Sequence, residues 1–191
     1  MSRKLTILLV LIVGGCGGGG GSAPLLTAEE LREGSIGATL DVLLGAIDVL
    51  ATGAPADAYV RGEPVTLVVT AEDGVVTIEA LGVCRTEATL RLADDPDHGV
   101  SVTGTIVTES PDGTTVEGTL ERVFVRAVAD LPGGGGSGAL FVSGNVDLLA
   151  QAGEEVVATG TAALFGRRAL VALSVNGSHT EAELSLGQVN G

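Results

Sequence analysis

The chain contains no tryptophan, one tyrosine and three phenylalanines among 191 residues, and this scarcity excludes several functions at once. Single-stranded nucleic-acid binders stack bases on aromatic side chains, and Tyr59 alone leaves little for a base or a sugar ring to stack on. A transmembrane barrel would lack its aromatic girdles. Lysine occurs once, at position 4, so beyond the first residues Schiff-base chemistry, the Ser-x-x-Lys motif and the P-loop are all excluded. Histidine occurs twice, His98 and His179, both at turn signals, and neither His-Glu-x-x-His nor paired-cysteine zinc spacing is present. The nearest approach to a nucleophile elbow, Gly135-Gly136-Ser137-Gly138, lies in a glycine tract from Pro132 to Gly138 that reads as a flexible loop. Carboxylates are plentiful enough for a paired-carboxylate hydrolase, but no motif selects a pair. The sequence predicts a protein that is not an enzyme and takes no cofactor.

Positive charge is also scarce. The chain carries 10 basic and 24 acidic residues; without Arg3 and Lys4 there remain 8 arginines against the same 24 acids, a net charge of −16. Such a charge opposes nucleic acid and anionic headgroups, which need a basic footprint, and favours solubility through mutual repulsion.

Against these absences the beginning of the chain stands out. Arg3 and Lys4 precede an apolar stretch from Leu5 to Val13, interrupted by Thr6, and the run Leu11-Ile12-Val13-Gly14-Gly15 ends at Cys16. The stretch is too short for a membrane span, which takes about 20 apolar residues, and suits the h-region of a signal peptide. The arrangement resembles the signal peptide and lipobox of bacterial lipoproteins. That resemblance covers residues 1–16 and implies a mature chain starting at Cys16, with a diacylglyceryl group on its sulfur and often an acyl group (typically palmitate) on its amino terminus. Each methylene contributes roughly 0.8 kcal/mol, so two or three chains anchor durably where one does not. Gly17 follows the cysteine in place of the aspartate that retains enterobacterial lipoproteins in the inner membrane. The resemblance therefore implies a place in the cell envelope, at the periplasmic face or surface of the outer membrane where the organism has one. Gly17 to Gly21 with Ser22 then form a tether unable to build a core. The expected organisation is a signal peptide over 1–15, a lipidated cysteine and tether over 16–26, and one domain over 27–191. With Cys16 modified, Cys84 has no intramolecular partner, and its place in an alternating pattern predicts a small buried residue.

Thr27 followed by Glu30 reads as a capping box, opening a helix over 28–51 whose apolar stripe is Ile36, Leu40, Leu43, Leu44, Ile47 and Leu50. Gly34, Gly37, Asp41, Gly45 and Asp48 fall on another face, and a break near Gly34–Ser35, with Ser35 as a second cap, fits the glycine. The polar face lacks the basic residues of a membrane-surface helix, so the stripe is expected to pack on the domain's own sheet. From Glu63 the period changes from 3.6 to 2. Cys84 to Leu92 alternate apolar with polar residues, as do Val76, Ile78 and Ala80, and Val65, Leu67 and Val69 recur at the same spacing. Further strands are expected near 99–109, 114–128, 138–149, 154–165, 168–175 and 180–189, divided by turn signals such as Glu72-Asp73-Gly74 and Asn176-Gly177. The fold class is mainly β (α+β): an amphipathic N-terminal helix on a curved antiparallel meander of about nine strands, as half-barrel, barrel or sandwich. In element order this is similar to the half-barrel lipoproteins that carry or sense lipids, without a shared motif.

Four strands repeat one design, an apolar residue, a glycine and an apolar residue on one face, around Gly104, Gly118, Gly144 and Gly160. Glycine in a strand marks a bend or a close approach, so the repeat predicts strong curvature and a groove. Val102, Ile106, Leu120, Val142 and Val146 are its candidate lining, holding either an apolar ligand or the helix. The inward positions Val116, Gly118 and Leu120 switch parity at Val123, Val125 and Ala127, which predicts either a bulge near Glu121–Arg122 or a strand whose second half meets another apolar surface, leaving Phe124 on the opposite face. Asp94, Asp95 and Asp97, next to His98, are the densest carboxylates and the weak candidates for a metal, although Asp and Pro are also what a turn requires. The expected function is a membrane-anchored lipoprotein with a non-catalytic, partner-binding envelope domain. The alternative is a carrier or sensor of an apolar ligand or lipid in the sheet's concave face.

Overall fold

The computed structural model describes residues 26–52, 58–60, 63–127 and 140–187. The leader, Cys16, the tether and the tract Pro132–Gly138 lie outside the described residues. The chain enters at Thr27, whose side chain accepts from the Glu30 amide at 3.2 Å while Glu30 Oε2 accepts from the Thr27 amide at 2.8 Å. This is the capping box read from the sequence, and it starts α1 (Ala28–Leu31). A kinked π-helical segment, Arg32–Ile36, follows, with Gly34 at φ −88° and ψ −106°, and then α2 (Gly37–Thr52). The break thus sits where the glycine was expected. Ser35 lies inside the kinked segment, and its hydroxyl accepts from Ser110 Oγ at 2.9 Å.

The strands β1 (Ala58–Val60), β2 (Glu63–Glu72), β3 (Val75–Leu81), β4 (Arg85–Asp95), β5 (Gly99–Glu109), β6 (Thr114–Ala127), β7 (Leu140–Ala152), β8 (Glu155–Phe165), β9 (Arg168–Val175) and β10 (Ser178–Ser185) follow in chain order. Each pairs antiparallel with its neighbours in sequence, giving a meander of nine strands, β2 to β10, with the three-residue β1 added at the edge of β2. The sheet is curved, and among the described residues nothing pairs β10 with β1 or β2. Of the three expected architectures, this is the open half-barrel. Asp73 and Asn176 both take φ +50° ahead of a glycine, the backbone that two-residue hairpins with native twist need.

The inner face follows the period-2 pattern. Val76, Ile78 and Ala80 are buried on β3, and Thr86, Ala88 and Leu90 on β4. The expected bulge is present: Leu120 pairs with Val146 but Arg122 with Asn145, so the register slips at Glu121 and both Leu120 and Val123 end inside. Gly104 and Gly144 show why the repeat needs glycine. They sit at φ +135° and +132°, and a Cβ would lie 2.3 Å from Thr89 O or 2.0 Å from Arg122 O. At each, the neighbouring strand has turned into the space a side chain would fill.

The helix differs from its expectation in one respect. Burial extends well beyond one apolar stripe, and every residue from Ser35 to Ile47 is buried. The sheet curls around α2 so that its small residues face protein as well; the Cβ position of Gly45 is 3.5 Å from Leu67 Cδ2, and that of Gly118 on β6 is 3.7 Å from Thr39 Cγ2. The segment after β10 packs against α2 too, with Leu186 buried and the Gly187 amide donating to Asp41 Oδ1 at 2.7 Å. Arg167 joins this seam through an ion pair with Asp48 and a hydrogen bond to Gly187 O at 3.4 Å. A helix buried all round takes the composition of a core element, which explains how glycine and alanine come to occupy its second face.

Candidate functional site

Val102, Ile106, Leu120, Val142 and Val146 all point into the concave face and are at most 4% exposed. Leu40, Leu43, Leu44 and Ile47 of α2, none more than 5% exposed, occupy the same space. The groove read from the glycine repeat therefore exists, and the protein's own helix fills it. Val102 also borders a recess of about 260 Å³ beyond the C-terminal part of α2, with Leu50, Leu92, Val125 and Leu140.

The acidic candidates do not converge on a metal. Asp95 Oδ1 accepts from the amides of Asp97 at 3.0 Å and His98 at 2.8 Å and lies 3.0 Å from His98 Nδ1. This is an Asx-type turn closing the β4–β5 hairpin, and among the described residues no group of three metal-ligating side chains gathers. Desolvation works upward on the Asp95 carboxyl, but the hydrogen bonds from His98 and Asp97 together hold it below the ordinary carboxylate value. The His98 ring packs on Phe124, their centroids 4.6 Å apart. His179 lies at the start of β10, opposite Ser174, in a different hairpin. Cys16 lies outside the described residues.

The open space lies elsewhere. A cleft of about 420 Å³ runs under the kinked start of the helix, between it and the ends of β2 to β5. Its walls are Leu26, Leu31, Ala38 and Val42 from the helical side, and Val65, Ala80 and Val83 from the sheet. Leu31 and Ala38, on either side of the kink at Gly34, both line this space. Cys84, Thr86, Ser35 and Ser110 form the polar part of the lining. Behind them runs a chain of hydroxyls. Thr86 and Thr108 are 2.9 Å apart, Thr108 and Thr39 are 2.9 Å apart, and Thr39 Oγ1 is 2.8 Å from Ser35 O. A carbonyl can accept but not donate, so one proton per hydroxyl satisfies all three bonds when Thr86 donates to Thr108, Thr108 to Thr39, and Thr39 to Ser35 O. Thr39, Thr86 and Thr108 are at most 1% exposed, so each bond offsets a desolvation cost of about 1–3 kcal/mol. The chain ties α2 to β4 and β5 and fixes the back wall of the cleft.

Cys84 keeps the inward side that alternation predicts but is only half-buried. It lies just before β4, packed against the core, with Sγ 3.6 Å from Ser110 Oγ. The rim is acidic: Glu30, Glu33, Glu63 and Asp112 border the opening, and no basic side chain is among the lining residues. Sequence spacing gave no sign of this cleft, since its walls come from four separate segments that meet through the curl of the sheet. An uncharged apolar chain with a neutral or distant headgroup is the chemistry that such a space accepts. No family model, curated protein or solved structure matches the chain.

Proposed function

We propose that the chain is a membrane-anchored lipoprotein, acylated at Cys16, whose β domain is a non-catalytic binding module of the cell envelope. The observation that carries this reading is the filled concave face. Where a half-barrel carrier would hold its ligand, this protein holds α2, and the domain is a packed body presenting surfaces. The lipobox-like run ending at Cys16 supports the anchor. The helix over Ala28–Ala51 is long and apolar enough to cross a membrane, with mean hydropathy 1.6. Its burial within the sheet supports a core role, which leaves the anchoring to Cys16.

A second reading has its own observation. The cleft under the helix start lies within the size range of small-ligand sites, about 300–1,000 Å³, and supports an apolar-ligand carrier whose site is this cleft in place of the concave face. Intact-mass spectrometry of the mature chain, gently extracted from its producing cells, tests both. The anchor predicts an N-terminal peptide starting at Cys16 with diacylglyceryl and acyl mass, and loss of membrane association in Cys16→Ser. An unmodified first residue would overturn it. Co-purifying lipid that is not covalently attached would replace the first reading by the second.

A further inference from the structure

We infer that the cleft under the helix start is a shelter in cis for one acyl chain of the protein's own Cys16, occupied when the molecule is away from a bilayer. The inference rests on the lipoprotein reading, and three observations choose this occupant. Leu26, the first described residue, is itself part of the cleft wall, so the tether arrives at the opening. Nine residues lie between Cys16 and Leu26, five of them the glycines 17–21. Such a tether has a typical end-to-end distance of roughly 17 Å and a fully extended reach of about 35 Å. An acyl group held at that distance is presented at an effective concentration on the order of millimolar without any partner.

The third observation is the charge of the rim. Glu30, Glu33, Glu63 and Asp112 line a mostly apolar space whose other polar groups are uncharged. A free fatty acid or a phospholipid with an anionic headgroup would bring negative charge against these carboxylates. The chains on a lipoprotein cysteine are joined through ester, thioether and amide bonds and carry none, so the rim discriminates for them. The volume, about 420 Å³, lies near the lower end of ligand-site sizes and suits one chain, leaving the others outside. Inside a bilayer the shelter gains little, because lipid tails are as apolar as Val42 or Val65. In water it removes the exposure of the chain's methylenes, which makes passage between membranes easier.

The test uses the full chain, produced in a bacterium that acylates lipoboxes and is grown on palmitate bearing a diazirine. The purified protein is irradiated as dilute monomer below the detergent's critical micelle concentration, and again on phosphatidylethanolamine–phosphatidylglycerol vesicles, and cross-linked peptides are mapped. Intramolecular links from Cys16 to peptides carrying Ala38–Val42 or Cys84, at least fivefold fewer on vesicles, are the expected result. Probe attached at Cys16 but linked only to detergent, lipid or scattered surface peptides would overturn the shelter while leaving the lipoprotein intact. Probe absent from Cys16 in the intact mass would remove the lipoprotein reading, and the shelter with it. Alkylation of Cys84 gives a readout on the unaltered chain: its rate in the monomer is expected to be at least tenfold slower than in Cys16→Ser, and equal rates would overturn the proposal. Free diazirine palmitate added to Cys16→Ser is expected to label these peptides at least fivefold less. Equal labelling would overturn the selection by the rim.

Discussion

At the residue scale the most consequential positions are those with no side chain. Gly144 sits at φ +132° with its missing Cβ directed at Arg122 O, 2.0 Å away. Gly153, in the turn after β7, has φ +65° and nothing within 4 Å. Alanine at 153 meets the conformational cost alone, about 1–2 kcal/mol. Alanine at 144 adds a backbone collision that only a shift of β6 would relieve. Urea unfolding is therefore expected to show Gly144→Ala destabilised by at least 2 kcal/mol more than Gly153→Ala, within the range for core overpacking. Equal losses would mean that β6 and β7 are less closely apposed than described. The alternation of apolar and glycine residues made Gly144 visible in the sequence as a bend. The carbonyl it accommodates was not visible, because Arg122 reaches that place through a bulge and a strand pairing.

At the scale of elements, the helix start was the most legible feature, since a capping box is a local device and its partners are three residues apart. Hydrogen bonds from the Thr27 amide, and then from its hydroxyl, hold the Glu30 carboxyl below its ordinary value of 4.5. A carboxyl whose value is lowered on folding supports the fold above its unfolded value and ceases to do so as pH falls through the folded one. A carbon-detected NMR titration is thus expected to give Glu30 a midpoint below 4.5, with amide protection at Leu31 falling over the same interval. A midpoint at or above 4.5 would show the box open in solution. The strands were legible for a similar reason: period 2 and hairpin turns placed β5 to β9 within a few residues of their observed limits. The three-residue β1 was not, because so short an edge strand has no period to read.

On the scale of the whole molecule, the order of elements was readable but the closure around the helix was not. Asp41 reads in sequence as part of a polar face, yet it is 5% exposed and accepts from the Gly187 amide, 146 residues away. Removing the acceptor leaves the half-buried Gly187 amide without this partner. Asp41→Ala is expected to cost about 1–3 kcal/mol in urea unfolding and to speed hydrogen exchange at Gly187 more than at Val171 in β9. Asp41→Asn, which keeps an oxygen acceptor, is expected to lose less. If Asp41→Asn were as damaging as Asp41→Ala, the carboxylate charge and not this hydrogen bond would hold the seam.

By itself, the sequence determined the alternation of buried and exposed side chains, the helix and its break, the turn positions and the inward glycines. All of these follow from periods and local bonds spanning a few residues. The tertiary structure alone decided that the helix fills the groove, that Asp95 closes a turn, and that the open space lies under Gly34 beside Cys84. Those outcomes depend on how far the sheet curls before its edges meet the helix, which sums small twists and three register slips over nine strands. No short stretch of residues encodes that sum.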